Sequence, residues 1–107
     1  MGISVIAVYR PKPDMQAALE AEMVGHVPLL RRLGLATTTP SLVLRAPDGS
    51  ILEHFEWVDQ ASIDKAHSHP EVLSMWERYG ACCNFATLAD LPNASTMFAE
   101  FELIDSY

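Results

Sequence analysis

Ile3-Ser4-Val5-Ile6-Ala7-Val8-Tyr9 reads as a strand with two apolar faces. Strand side chains alternate, so Ile3, Val5, Ala7 and Tyr9 share one face while Ile6 and Val8 stand on the other. A half-buried surface strand needs only one such face. Two of them predict a sheet covered by helices on one side and by something else on the other.

The chain on either side of this strand supplies those helices. Pro11-Lys12-Pro13-Asp14 ends the strand, and Met15, Leu19, Met23, His26, Leu30 and Leu33 then recur at helical spacing until Gly34 stops the run. Pro28 inside it predicts a kink near Val24, because the ring removes one backbone bond and crowds a carbonyl. Leu35 to Ala46 reads as a strand that Pro40 confines to an edge or a bulge. Pro47-Asp48-Gly49 turns the chain back into Ile51 to Val58, an antiparallel hairpin.

Asp59 caps a short helix through Ile63, Ala66 and His67. Ser68-His69-Pro70-Glu71 then reads as a capping box starting a helix that carries Val72, Leu73, Met75, Trp76 and Tyr79, with Gly80 as its stop. The stretch 81–95 is ambiguous and is read as a further helical turn through Phe85 and Leu88, broken at Leu91-Pro92-Asn93. Met97, Ala99, Phe101 and Leu103 alternate with Phe98, Glu100, Glu102 and Ile104 as the last strand.

Strand, helix, strand, strand, helix, strand is the split βαβ order, so the expected class is α+β: one ferredoxin-like βαββαβ domain spanning 1–107, with both helices on one face of an antiparallel sheet. Ile6, Val8, Phe98 and Ile104 are left on the bare face. A second copy pairing there predicts a homodimer, a dimeric α+β barrel.

Composition narrows the partners. The net charge is −7, and the seven basic residues are scattered, with only Arg31 and Arg32 adjacent, which provides no stripe for nucleic-acid phosphates or for an anionic membrane surface. No apolar run reaches the roughly 20 residues that span a bilayer. Met1 to Tyr9 lacks the basic start and cleavage site of a signal peptide, so the expected setting is cytoplasmic. Cys82 and Cys83 are adjacent, a spacing that strains a disulfide, and are expected as reduced thiols. Phosphate loops, Ser-His-Asp order, Cys-x-x-Cys pairs and nucleotide fingerprints are absent from the sequence.

Val5-Ile6-Ala7-Val8-Tyr9-Arg10 before a proline turn, Val27-Pro28 late in the first helix, Gly34 after it and Phe55-Glu56-Trp57 closing the third strand carry a resemblance. So does Trp57 followed by Asp59 through Ala66-His67-Ser68-His69-Pro70. The chain resembles the antibiotic-biosynthesis-monooxygenase-like (ABM) group of dimeric α+β barrel proteins over almost its whole length. That resemblance implies a cofactor-independent monooxygenase acting on an aromatic or quinol-type small molecule. The alternative is a non-enzymatic homodimer that binds a small apolar ligand. Haem-degrading members carry a haem-ligand His about ten residues beyond the position of His67. Here Trp76-Glu77 occupies that region, so no haem and no other cofactor is expected.

His67 is the first candidate for a catalytic base: it matches the family His and follows Ile63 by four positions, on the core-facing side. Its other reading is a capped imidazole bonded to a backbone carbonyl. His26, on the apolar stripe with Leu19, Met23 and Leu30, is either a second base or a satisfied core histidine. Tyr9, Trp57 and Trp76 are the expected substrate-binding aromatics, against ordinary core packing. His54 with Glu56, Glu100 or Glu102 is weighed as a metal set and set aside, because one strand fixes only two ligands. Glu100 and Glu102 are read instead as partners of Arg10.

Overall fold

The computed structural model describes residues 2–107. Five strands form one antiparallel sheet: β1 (Ile3–Pro11), β2 (Leu42–Arg45), β3 (Ile51–Trp57), β4 (Cys83–Ala86) and β5 (Glu102–Ser106), in spatial order β4-β1-β3-β2-β5. Three helices, α1 (Gln16–Arg32), α2 (Gln60–Ala66) and α3 (Pro70–Cys82), complete an α+β fold of the ferredoxin-like kind. β5 is an addition that widens the sheet beyond β2.

β1 and β3 form the central pair, in register from Ile3 opposite Trp57 to Tyr9 opposite Ile51. Opposed residues of an antiparallel pair share a face, so Val5, Ala7 and Tyr9 stand beside Phe55, Glu53 and Ile51. α1 and α3 cover that face. Leu19 and Met23 of α1 and Met75 and Tyr79 of α3 pack with Tyr9 and Ile51, while Val27, Leu30 and Val72 pack with Phe55 and Trp57.

The opposite face is only half covered. Two 3₁₀ turns, Leu88–Asp90 and Pro92–Ser95, lead the chain over it, and Leu91 packs there with Val8, Ala46 and Leu52. Beyond this cover Ile6 is 51% exposed, and Leu42 and Leu103 also meet solvent.

Several local expectations are corrected. Residues 83–86 are the fourth strand rather than a helical turn, since α3 runs past Gly80 to Cys82 and passes straight into β4. The last strand starts at Glu102, not Met97; Phe98 lies outside it, 76% exposed, and Ile104 packs on the helix side. The second strand keeps only Leu42–Arg45, though Ala36 forms an isolated bridge to Trp57. α1 continues through Pro28 to Arg32, and Gly34 follows its end at φ +75°, a conformation that glycine adopts without steric cost.

Asp59 caps α2 by accepting from the Ser62 N–H at 2.8 Å. The cap of α3, however, is His69, whose Nδ1 accepts from the Glu71 N–H, rather than Ser68. Arg10 lies by Asp48 and donates to the Asp90 carbonyl, and Glu102 pairs with Arg45, so the expected Arg10–Glu100/Glu102 pairing does not form. Among the described residues no helix is long and apolar enough to cross a membrane.

Candidate functional site

On β3, alternation sends Ile51, Glu53, Phe55 and Trp57 toward the helices, and Glu53 is a carboxylate within an otherwise apolar row. It is wholly buried. An unpartnered charge there would be prohibitive, and three donors from three other elements meet it. Tyr9 of β1 donates its hydroxyl to Oε1 at 2.8 Å, His26 of α1 places Nδ1 2.9 Å from the same oxygen, and Tyr79 of α3 donates to Oε2 at 3.4 Å.

His26 is 2% exposed because the α1 stripe Leu19, Met23, His26, Val27, Leu30 faces the sheet. Its other ring nitrogen, Nε2, lies 3.0 Å from the indole Nε1 of Trp76. An indole N–H can only donate, so Nε2 is the acceptor and the imidazole proton sits on Nδ1, directed at Glu53. Burial, and then the Glu53 charge, push both tyrosine hydroxyls well above the ordinary phenol range, which keeps them protonated as donors. The result is a closed polar chain, Trp76 to His26 to Glu53, with the two tyrosines completing the carboxylate's partners.

In front of this chain lies a cavity of about 430 Å³. Val5, Ala7, Phe55, Trp57, Ile63 and Phe85 supply apolar wall, and the five residues singled out in the sequence, Tyr9, His26, Trp57, His67 and Trp76, all line it. The aromatic walls contact one another: Phe55 and Trp57 have ring centroids 5.1 Å apart, and Tyr9 meets Phe85 edge-on at 6.0 Å. Among the described residues no lysine or arginine reaches the wall. A second cleft, of about 530 Å³ beside Arg10, Lys12 and Asp48, is a polar surface groove whose cations are already engaged by Asp48 and by the Asp90 and Gly80 carbonyls.

The chain is similar in structure to Rv0793 of Mycobacterium tuberculosis. The TM-score is 0.65 at 19% sequence identity, over 80% of this chain and 89% of that one. At that identity the likeness is one of fold alone. No family model and no curated protein matches the chain in sequence.

His67 differs from the core-facing position expected for it. It follows α2 as an exposed residue at the cavity rim, stacked edge-on against Trp76 with centroids 5.1 Å apart. Its Nδ1 lies 2.8 Å from the Ile63 carbonyl, which can only accept, so the proton is on Nδ1 and Nε2 carries a lone pair with no hydrogen-bond partner among the described residues. His54 stands on the other face of the sheet, its Nδ1 buried and unpartnered, and no three His, Cys, Asp or Glu side chains converge on a metal position among the described residues.

Glu53 is the residue that reading the sequence missed. The signal was present: its side chain shares a face with Ile51, Phe55 and Trp57, opposite a helix stripe that also carries one polar residue, His26. Two polar groups facing each other across an apolar layer predict a bond between them. Tyr79, read in the sequence as part of the apolar face of its helix, also donates to this carboxylate. Cys82 and Cys83 are both free and buried, and burial raises the Cys83 thiol to about 11.

Proposed function

We propose that the cavity binds a flat hydroxylated aromatic molecule and that the protein is a cofactor-independent monooxygenase of the ABM-like kind, with His67 as the base. One observation carries this reading: an imidazole nitrogen without a partner stands at the rim of an aromatic-lined apolar cavity. His67 Nε2 takes the phenolic proton. The electron-rich anion transfers an electron to O₂, the resulting radical pair forms a carbon–oxygen bond, and loss of water leaves a quinone. One oxygen atom enters the product and the other leaves in water, so no external reductant is needed. The protein contributes binding, exclusion of water and a positioned imidazole base.

Two attributes accompany the proposal. A homodimer formed through the half-covered sheet face would hide Ile6, Leu42 and Leu103. A cytoplasmic setting suits two free thiols.

The alternative, a ligand-binding protein without catalysis, is favoured by His26, whose two ring nitrogens are both engaged as in a satisfied core histidine. Oxygen uptake with a panel of quinols and hydroxylated polycyclic aromatics separates the readings. The expected result is turnover by the wild type that falls on the order of 10²–10⁴-fold in His67→Ala. Binding of the same compounds without oxygen uptake would establish the alternative.

A further inference from the structure

Within the cavity wall the polar side chains are few and most are spent. Both tyrosine hydroxyls are committed to Glu53. His26 Nε2 is an acceptor at the back of the cavity, and it is met only by a residue of the wall itself, Trp76. Trp76 is half-buried, and its indole lies between the two histidines, bonded to His26 and stacked on His67. It is a flat aromatic ring carrying one N–H donor.

We propose that Trp76 stands in for the ligand. A neutral flat aromatic binds by placing one O–H or N–H donor where the indole stands, on His26 Nε2, a donor separate from the hydroxyl that faces His67, and Glu53 is the positioning residue that keeps that nitrogen an acceptor. The inference rests on the cavity being an aromatic-binding site, as proposed above, and adds how that site selects its occupant. A ligand that evicts the indole without bringing a donor leaves a buried imidazole nitrogen unsatisfied, which is unfavourable. An anionic ligand meets no cation in the wall and sits near a buried carboxylate. Neutral donors are therefore selected over ethers and over acids.

Glu53 acts through the imidazole tautomer. A carboxylate can only accept, so it holds the proton on Nδ1. In Glu53→Gln the amide can present its own N–H to Nδ1, driving the proton to Nε2, where it would face the Trp76 N–H and repel any ligand donor. The principle is that by which a buried carboxylate fixes the catalytic histidine of a serine protease.

The test compares 1-naphthol with 1-methoxynaphthalene, its ether, as ligands of the wild type, Trp76→Phe and Glu53→Gln, using calorimetry and the ¹⁵N-resolved indole and imidazole signals. The wild type should prefer naphthol by about tenfold or more, and naphthol should move the Trp76 indole N–H signal. Trp76→Phe should bind naphthol at least as tightly, since no internal donor competes. Glu53→Gln should lose the preference and show the His26 proton on Nε2.

Equal affinity of the wild type for the two compounds overturns the exchange while leaving the aromatic-binding reading intact, and so does weaker naphthol binding by Trp76→Phe. Binding of neither compound defeats that reading and this inference together. If Glu53→Gln does not fold, the wild-type and Trp76→Phe measurements decide on their own.

Discussion

Replacing His26 by Leu preserves volume and removes one donor from a carboxylate with no solvent to turn to. Glu53 then keeps the Tyr9 hydroxyl at 2.8 Å and the longer Tyr79 contact at 3.4 Å. His26 is neutral, so its deletion removes a hydrogen bond to a buried charged group, a loss of about 1.5–3 kcal/mol. A chain of this length has of the order of 5–15 kcal/mol in total, so the variant should lose about a tenth or more of its stability. At about 4–8 °C per kcal/mol its melting temperature should fall by roughly 6 °C or more.

The double variant His26→Leu/Glu53→Leu removes the charge as well. Apolar replacement of a whole buried pair is often neutral or stabilising, so what remains is the loss of an acceptor for two tyrosine hydroxyls, about 1–3 kcal/mol for each one left unsatisfied. The two substitutions should therefore be non-additive, with a coupling of about 2 kcal/mol. Urea unfolding followed by circular dichroism at neutral pH, over the full cycle of four proteins, measures it. A loss under 1 kcal/mol in His26→Leu, or strict additivity, would refute the view that Glu53 is held as a charge by its partners.

With its thiol raised to about 11, Cys83 should be almost wholly protonated at pH 7 and react with iodoacetamide far more slowly in the native protein than in urea, the rate climbing as the pH is taken toward 11. Fast native alkylation of Cys83 at pH 7 would contradict the burial that raises it. Sedimentation equilibrium at micromolar concentration should give twice the 11.8 kDa chain mass, and Ile6→Lys, on the exposed part of the sheet face, should return the monomer. A wild-type monomer would remove the dimer.

The central strands were legible because burial left its period in them: Ile3 to Tyr9 carries apolar residues at every second position on the helix face, and Ile51 to Trp57 does so everywhere but at Glu53. β4 was not, because four residues are too few to show a period and Cys82-Cys83 extends the helical run before them. The alternation from Met97 to Ile104 misled for a different reason. Its first half alternates without pairing, as the exposure of Met97 and Phe98 attests. In the site, His26, Tyr9, Trp57 and Trp76 were legible as single residues on faces. Glu53 was obscured by reading along the chain, where its neighbours are His54 and Leu52, instead of across the sheet, where they are Tyr9, His26 and Tyr79.

The direct passage from α3 into β4 has a mechanical consequence. With no residue between Cys82 and Cys83 to act as a hinge, the helix bearing Trp76 and Tyr79 is rigidly coupled to an edge strand held to β1 by four residue pairs, Val8–Ala86 to Pro11–Cys83. The Lys12 N–H bond to the Cys82 carbonyl, 2.9 Å, rivets the junction itself. Widening the cavity by tilting α3 must then strain the β4 ladder from its far end, so edge-strand pairing acts as a spring against opening. The stiffness of that spring is set in part by Asn84 and Ala86, residues outside the cavity wall, and breaking the ladder there would loosen the cavity without touching a group that lines it.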